Sequence, residues 1–157
     1  MLIPMRALEL KVPPVALTLI AGLVVVAVDR LTPSLSLSIP ARELVGLAVA
    51  VAGLAVCGVG VASFRRAGTT VSPLTPEASS SLVQSGIYAH TRNPMYLGFA
   101  MILAGWSLFL SNLAAIAVVP LFVLYLDRYQ IVPEERALAG RFGGEFAQYV
   151  SRVRRWL

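Results

Sequence analysis

The sequence predicts an all-α integral membrane protein with about four transmembrane helices, the last two forming a short hairpin, and a cytoplasmic amphipathic helix at the C-terminus. Composition is the first reason: of 157 residues, 57% are hydrophobic and only 13% are charged, whereas a soluble domain of this size exposes far more charge. The second reason is that three long stretches contain no acidic or basic side chain. We therefore expect residues 1–157 to form a single membrane domain.

The three uncharged stretches have the lengths of membrane-spanning segments. A helix needs roughly 20 residues to cross the hydrocarbon core, and residues 12–28 and 44–64 each provide one crossing. Residues 94–126 are too many for one upright helix, and Ser111 and Asn112 interrupt them. Because Asn tolerates the left-handed conformation that ends helices, we predict two short helices that turn near Asn112.

The first stretch shares one feature with a secretory signal, because Arg6 and Lys11 precede it. A small-x-small cleavage pattern does not follow it, and the chain instead continues with Asp29 and Arg30. We therefore expect an anchor that is retained in the membrane.

Basic residues are distributed unevenly between the two sides of the predicted bundle. With four crossings and both termini on one side, the opposite side holds only Arg30 and Arg42. Positively charged segments stay in the cytoplasm, so both termini and the polar clusters should face it. A basic rim beside anionic lipid headgroups also accounts for the net charge of +5 without a nucleic acid partner. The basic side holds Arg6, Lys11, Arg65, Arg66, Arg92, Arg128, Arg136, Arg141, Arg152, Arg154 and Arg155.

Small residues recur along one face of the second stretch, at Gly46, Ala50, Gly53, Cys57 and Gly60. Such a stripe lets a neighbouring helix approach closely in lipid. We expect this packing role, with a groove for a substrate chain as the alternative. Cys57 is the only cysteine, so the sequence has neither an internal disulfide nor a multi-cysteine metal site.

Residues 65–93 are expected to form a cytoplasmic loop, because Pro, Gly and Ser are too frequent there for a regular element. A solvated connector and a lid over a binding site both fit a loop of this length.

The C-terminal residues 133–157 are predicted to form an amphipathic helix. Pro133 suits the first helical position, and Gly143 with Gly144 should bend the helix. Its end should lie in the membrane interface, with Trp156 at headgroup depth. The apolar face comprises Leu138, Phe142, Phe146, Tyr149 and Val153.

A first polar cluster lies where the third apolar stretch begins. Asn93 and Pro94 are a standard helix start, which by itself implies no function. Arg92 adds a planar cation, and the helix N-terminus adds free N–H groups, so the two together suit a carboxylate or phosphate. Tyr88 and Tyr96 add rings and hydroxyls, although Tyr96 also suits an interfacial anchor.

A second polar cluster contains Glu134 and Glu135. On a helix these neighbours point about 100° apart, so they cannot form a two-carboxylate acid–base pair. Complementing the helix dipole explains both without function. The functional interpretation gives one to the cation of a ligand and the other to a positioning salt bridge. His90 has no second metal-binding side chain nearby, so a metal site is not expected and a solvent-facing side chain is.

A longer pattern runs through both clusters. Its residues are Gly68, Thr69, Pro73, Leu82, Val83, Ser85, Gly86, Tyr88, Arg92, Asn93, Pro94, Met95, Tyr96, Leu97, Gly98, Glu134, Glu135, Leu138, Phe142, Gly143, Phe146, Tyr149 and Val153. The pattern resembles the isoprenylcysteine carboxyl methyltransferase family and, more loosely, the membrane phospholipid methyltransferases. It covers roughly residues 65–157, while the first two helices match only as hydrophobic helices.

The resemblance implies an integral membrane enzyme that transfers a methyl group from S-adenosylmethionine to a lipophilic substrate at the cytoplasmic face. It implies that Glu134 and Glu135 close the cofactor site. The family typically has His where Asn93 stands, and Asn can also donate and accept hydrogen bonds. The resemblance further assigns to the cofactor site Tyr88, Arg92, Asn93, Pro94, Tyr96 and Gly98.

The nature of the methyl acceptor stays open. Methyl transfer from a sulfonium is an in-line displacement, so positioning and desolvation matter more than a covalent nucleophile. For a carboxylate, such as an isoprenylcysteine-like group, Arg136 is the first candidate to orient the oxygen, before Arg128 or Arg141. For an amine, as in a phospholipid N-methyltransferase, Glu135 is the candidate to take the proton.

A non-catalytic membrane subunit, whose basic rim docks a soluble partner, is an alternative of a different class. A transporter is less favoured, because the first two spans contain no charge or Pro–Gly break to line a path. The expected partners are the lipid bilayer and a lipophilic or lipidated substrate, with no nucleic acid and no metal.

Overall fold

The computed structural model describes residues 9–69 and 79–157, in which every regular element is helical. Predictions about Arg6, Pro73 and part of the loop 65–93 fall outside these described residues. Two short 3₁₀-helices span Pro33–Leu35 and Gly86–Ala89. The α-helices are α1 Pro14–Leu31, α2 Arg42–Arg66, α3 Pro94–Leu110, α4 Leu113–Leu126, α5 Val132–Phe142 and α6 Gly144–Arg152.

The structure confirms an all-helical membrane fold. Three helical stretches are long and apolar enough to cross a bilayer, namely α1, α2 and residues Leu113–Phe142. Helix α3 is a shorter apolar helix of 17 residues, roughly 25 Å long. The predicted hairpin is present, but the left-handed residue that ends α3 is Ser111 rather than Asn112, which is extended and caps α4. The cap consists of N–H bonds from Ala114 and Ala115 to the Asn112 side chain.

The helix predicted from Pro133 is present as α5, which begins at Val132 with Pro133 in its first turn, but it does not begin as a free helix end. Helix α4 continues through a π-helical turn, Asp127–Ile131, directly into α5. A proline inside a helix normally leaves the carbonyl four residues earlier without its N–H partner. Here that carbonyl belongs to Tyr129, and it accepts a hydrogen bond from the Leu10 amide at 3.1 Å. The helix therefore continues past Pro133 because the N-terminal segment satisfies the freed carbonyl.

The small-residue face of α2 packs against α3, as predicted. A Cβ built on Gly53 would lie 2.6 Å from the Gly98 carbonyl oxygen, and one built on Gly46 would lie 2.6 Å from that of Gly105. Gly53 and Gly46 are buried between the helices. The two backbones are therefore in direct contact, which only glycine permits at these positions.

The α1–α2 connection and the α3–α4 turn are joined at one end of the bundle. Asn112 donates to the Thr32 carbonyl at 2.8 Å, and the Leu37 amide donates to the Ser111 carbonyl at 2.7 Å. Ser111 also donates its hydroxyl to the Leu37 carbonyl at 3.0 Å. These bonds satisfy backbone groups that would be costly to bury unpaired in a membrane protein.

The C-terminal segment is amphipathic and breaks where predicted, at Gly143, whose φ is 50°. The predicted apolar face forms a cluster of Phe146, Tyr149 and Val153 with Leu82, Leu138 and Phe142. The predicted extent of the helix is wrong, because α6 ends at Arg152 and the last residues are not helical. Trp156 packs against the core formed by α1, α3 and α4, and its predicted headgroup depth stays a prediction. The prediction of no regular element in the loop is also wrong, since Gly86–Ala89 forms a 3₁₀-helix.

Candidate functional site

The segment before α3, residues 91–93, binds the C-terminal residues 153–157, which are called the tail below. The Arg92 amide donates to the Arg154 carbonyl at 3.0 Å. The Asn93 side-chain amide and the Thr91 hydroxyl both donate to the Arg155 carbonyl, at 3.0 and 3.3 Å. Asn93 occupies the N-cap position of α3, as predicted, but its side chain makes no capping bond there because it holds the tail. The N–H groups of the first turn of α3 therefore receive no cap from Asn93.

Two arginines converge on Glu135. Arg92 Nη2 lies 2.9 Å from Glu135 Oε1, and Arg155 contacts both carboxylate oxygens through Nε and Nη2 at 3.1 and 2.5 Å. Arg155 Nη1 also bonds both oxygens of Asp127, at 3.0 and 3.1 Å. The hydrogen bonds to Glu135 raise the pKa of Arg155, so this guanidinium stays charged. The fork of Arg155 thus links the tail to the π turn and to α5.

Arg92 is the most enclosed charged side chain of this network, with only 10% of its side chain exposed. Its Nη1 donates to the Val150 carbonyl of α6 at 3.3 Å. Its Nε lies buried with no hydrogen-bond partner among the described residues. One donor of this buried cation is thus left without an acceptor in the described part of the chain.

Glu134 has a different environment from its neighbour. The Tyr96 hydroxyl, on α3, donates to Glu134 Oε2 at 2.9 Å. Tyr96 itself is 5% exposed and belongs to the core. Among the described residues, Glu134 makes no ion pair. Glu135 thus holds salt bridges that position the surrounding segments, whereas Glu134 makes none among the described residues, and its assignment to the cation of a ligand stays a prediction.

The predicted site residue Tyr88 is held by buried contacts with α6 and α2. Tyr149 of α6 donates its hydroxyl to the Tyr88 carbonyl at 2.8 Å. Burial raises the pKa of Tyr149, so its hydroxyl stays protonated and keeps donating. The Tyr88 ring meets Phe64 of α2 edge to face, with 5.2 Å between the centroids. Tyr88 is 4% exposed and connects α2, the 3₁₀-helix and α6.

Other predicted site residues lie apart from this network. Arg136 pairs with Glu9 at 3.1 Å, and Arg128 lies 3.7 Å from the same carboxylate. Gly98 lies in the contact with α2, and Pro94 is buried at the first turn of α3. The predicted roles of Arg136, Gly98 and Pro94 at a ligand stay predictions.

The sequence did not predict Arg155 or its partner Asp127 at the site. A run of arginines near a membrane usually faces lipid headgroups, so the sequence places Arg155 in a basic rim. The one available signal was its position after the amphipathic face, close to the tail-matching part of the family pattern.

His90 is exposed, as predicted from its polar surroundings. Among residues 9–69 and 79–157, no group of three His, Cys, Asp or Glu side chains is placed to hold a metal ion.

An apolar groove lies between α1 and α3. Its volume is about 520 Å³. Its one hydroxyl, on Thr18, donates to the Pro14 carbonyl of its own helix at 2.8 Å. Gly22 opens the groove, because a Cβ added there would meet nothing within 4 Å. The lining residues are Thr18, Leu19, Gly22, Leu23, Val26, Ile102, Leu103 and Trp106.

Comparison with known proteins identifies the family. The phospholipid methyltransferase family matches residues 41–145. An uncharacterized protein of Haemophilus influenzae is 43% identical over 63 residues, which is 40% of this chain and all of that protein. A protein-S-isoprenylcysteine O-methyltransferase of Schizosaccharomyces pombe is 33% identical over 72 residues, 46% of this chain but only 30% of that enzyme. No solved structure matches the chain significantly. The chain is therefore a member of the phospholipid methyltransferase family.

Proposed function

We propose that this membrane methyltransferase takes its methyl group from S-adenosylmethionine and transfers it to a lipophilic acceptor at the predicted cytoplasmic face. The observation that carries the proposal is the opposite polarity of two neighbouring groups. Arg92 and the first turn of α3 offer hydrogen-bond donors with positive charge, and Glu134 offers a carboxylate without a paired cation. A zwitterionic ligand that also bears a cationic centre suits this arrangement.

The amino-acid part of the ligand would lie along the start of α3. Its carboxylate would accept from Arg92 Nε and from the first-turn N–H groups that Asn93 leaves uncapped. Its cationic groups would lie toward Glu134, and the Tyr96 hydroxyl fixes the direction of that carboxylate. Glu135 would act indirectly, because its two arginine partners already occupy both oxygens.

Bound S-adenosylmethionine supplies an electrophilic methyl group on a sulfonium. The residues of the chain then need to align the acceptor with that methyl and exclude water, since no covalent nucleophile is required. The tail would help to exclude water, because Trp156 packs on the core and Arg155 bonds Asp127 of the π turn. An amine acceptor must lose a proton, and Glu134, which has no paired cation, is better placed to receive it than the doubly paired Glu135.

The groove between α1 and α3 is the proposed place for the hydrocarbon part of the acceptor. Leu103 lines the groove and lies seven residues after Tyr96 on the same buried face of α3. Two helical turns separate them by about 10 Å along the axis. A lipid whose head lies near Tyr96 would therefore reach the groove with its chain.

The alternative of a docking subunit has less support. It uses Arg152, Arg154 and Arg155 to dock a soluble partner, and of these Arg155 is bonded to Glu135 and Asp127. Between O- and N-methylation, the family and the fission yeast relative point in different directions, and both stay proposals.

The proposed activity is tested with the purified protein in lipid nanodiscs and S-adenosylmethionine that carries a tritiated methyl group. We expect label in the organic extract of membrane lipids or of a lipidated cysteine acceptor. Base treatment then separates the acceptor classes, because methyl esters release volatile methanol whereas N-methyl groups do not. Label that stays entirely in the aqueous phase, with a folded and monodisperse protein and both acceptor types supplied, would contradict the proposal.

Filling the groove should impair transfer to long-chain acceptors. We expect Gly22→Leu to raise the KM for a long-chain acceptor about tenfold, because the added side chain takes up apolar contact area that the acceptor chain would use. The KM for S-adenosylmethionine should not change. Gly58→Leu is the matched control, because an added Cβ at Gly58 also meets nothing within 4 Å but lies on α2, away from the groove. Equal KM values for the acceptor in both variants would show that the groove does not hold the acceptor chain.

A further inference from the structure

We propose that Glu9 is a positioning residue of the candidate site, and that it acts through the π turn and not by contact with a ligand. The residues before α1 and the tail hold this turn from two sides. They thereby keep the rotational register in which the acidic residues of the site meet their partners. The tests that measure methyl transfer rest on the proposed function, whereas the register itself does not.

The π turn holds one residue more than a turn of the α-helix around it. The Val132 amide donates to the Asp127 carbonyl, five residues back instead of four. In an α-helix, two residues eight positions apart point about 80° away from each other. One extra residue in a single turn sets the following helix back by about 100°, so eight positions across it behave like seven. Seven positions bring two residues to within about 20° of the same face.

The π turn aligns two acidic residues for one arginine. Asp127 and Glu135 lie eight positions apart across the turn. The Arg155 guanidinium bonds Asp127 through Nη1, at 3.0 and 3.1 Å, and Glu135 through Nε, at 3.1 Å. A regular α-helix would turn Glu135 about 80° away from the side on which Arg155 bonds Asp127. The paired bonds of Arg155 therefore depend on the register that the π turn sets.

The same geometry recurs with the charges reversed. Arg128 and Arg136 also lie eight positions apart, and both are directed to the carboxylate of Glu9. The distances from their Nη1 atoms to its two oxygens are 3.7 and 3.1 Å. Glu9 is the most enclosed of the three, since only 13% of its side chain is exposed. Glu9 therefore spans the turn from the N-terminal side, as Arg155 does from the tail.

The backbone of residues 9–12 also bonds the π turn. The Leu10 amide donates at 3.1 Å to the Tyr129 carbonyl, which the proline four residues later leaves without its helical partner. Leu10 makes this bond with a φ of 55°, which is uncommon outside glycine and which the contact must stabilise. The buried Gln130 side-chain amide donates to the Val12 carbonyl at 2.8 Å. Backbone and side chains of this segment thus hold the turn together.

The register matters for the candidate site because Glu134 and Glu135 follow the turn directly. If the turn relaxed to α geometry, both would rotate by about 100° relative to α4, away from Tyr96 and Arg155. Arginine pairs as exposed as those of Glu9 contribute little to stability. A misplacement of about 1 Å, by contrast, can slow a reaction about 100-fold. Loss of Glu9 should therefore affect transfer far more than stability.

The first test measures methyl transfer and thermal unfolding in lipid nanodiscs. We expect Glu9→Gln to lower kcat about tenfold, while the unfolding midpoint changes by less than about 4 °C. Glu9→Asp keeps the charge and should keep most of the activity. Glu43→Gln removes an exposed acid at the α3–α4 end of the bundle and should leave kcat unchanged. A rise in transfer in Glu9→Gln would show that Glu9 competes with an anionic ligand for Arg128 and Arg136, and would overturn the proposal.

The second test does not depend on activity. The tail reaches the π turn through Arg155, so a turn that loses its register should loosen the tail as well. In a Trp106→Phe background, Glu9→Gln should shift the fluorescence of Trp156 toward that of a solvent-exposed indole. Glu43→Gln should show no shift. An unchanged Trp156 spectrum in Glu9→Gln would overturn action through the turn, whatever the transfer assay gives.

A double variant tests whether the two contacts support one element. Glu9→Gln and Arg155→Ala disturb the same turn, so their effects on kcat should not multiply. We expect the double variant to stay within about threefold of Arg155→Ala alone, and full multiplication would overturn the proposal. Absence of transfer by the wild type, together with a shifted Trp156 spectrum in Glu9→Gln, would overturn the proposed function and leave the positioning of the turn by Glu9 standing.

Discussion

Replacing Arg155 with alanine is expected to lower methyl transfer by about two orders of magnitude, because a partly buried charge pair is broken. Arg155 bonds Glu135 and Asp127 through its guanidinium. Without it, Asp127 loses both of its bonds to arginine, and Glu135 keeps only Arg92. The tail would then keep the bonds of its carbonyls to residues 91–93 and its apolar contacts, but no ion pair to the site.

Arg155→Ala should also release the tail from its contact with the core. Trp156 packs against the core, so its fluorescence should shift toward that of a solvent-exposed indole in Arg155→Ala. A Trp106→Phe background removes the other tryptophan signal. Arg154→Ala is the matched control, because Arg154 is the exposed neighbour and its contact with Arg92 uses only the backbone carbonyl. Equal activity and equal fluorescence in the two variants would show that Arg155 does not hold the tail.

The second large effect is expected at the contact between α2 and α3. Gly98→Ala should lower the free energy of unfolding by about 3 kcal/mol, because overpacking a tight contact strains the backbone. A Cβ on Gly98 would lie 2.6 Å from the Gly53 carbonyl oxygen, which cannot move aside as a flexible side chain can. The helices would have to separate, and their Gly46–Gly105 contact would be loosened as well.

The same substitution at Gly58 should have the opposite sign. Gly58 lies on the same helix as Gly53, but an added Cβ there meets nothing within 4 Å. Gly58→Ala is expected to stabilise the protein by up to about 1 kcal/mol, because alanine has the higher helix propensity. Reversible unfolding in mixed micelles measures both. Equal stability changes for Gly98→Ala and Gly58→Ala would rule out the close backbone contact.

The sequence predicted the parts of the fold that depend on local pattern. Uncharged stretches identified α1 and α2 to within two or three residues at each end, and Asn112 identified the hairpin. The glycine stripe predicted the packing of α2, since small residues at helical spacing have few other uses in lipid. The partner helix was not predictable, because pairing between stripes on different helices depends on topology.

Prediction from the sequence failed where a hydrogen bond to a distant segment determines the local structure. Pro133 is a typical helix start, and only the bond from Leu10 to the Tyr129 carbonyl explains why the helix runs through it. The side chain of Asn93 serves the tail instead of α3 for the same kind of reason. Both outcomes depend on residues more than 60 positions away in the chain. Local propensity therefore predicted the helices, whereas the hydrogen bonds and ion pairs of the site could be identified only from the folded structure.

The most direct test of the central claim is isothermal titration of S-adenosylmethionine into the wild-type protein, Arg92→Ala and His90→Ala. His90 is exposed and lies two residues from Arg92, so it controls for local disturbance. We predict saturable binding to the wild type and to His90→Ala, and binding weaker by at least about tenfold in Arg92→Ala, because a charge-assisted contact to the ligand carboxylate is lost. The absence of saturable binding to the folded wild type, in detergent and again in nanodiscs, would contradict the account, as would unchanged affinity in a folded Arg92→Ala.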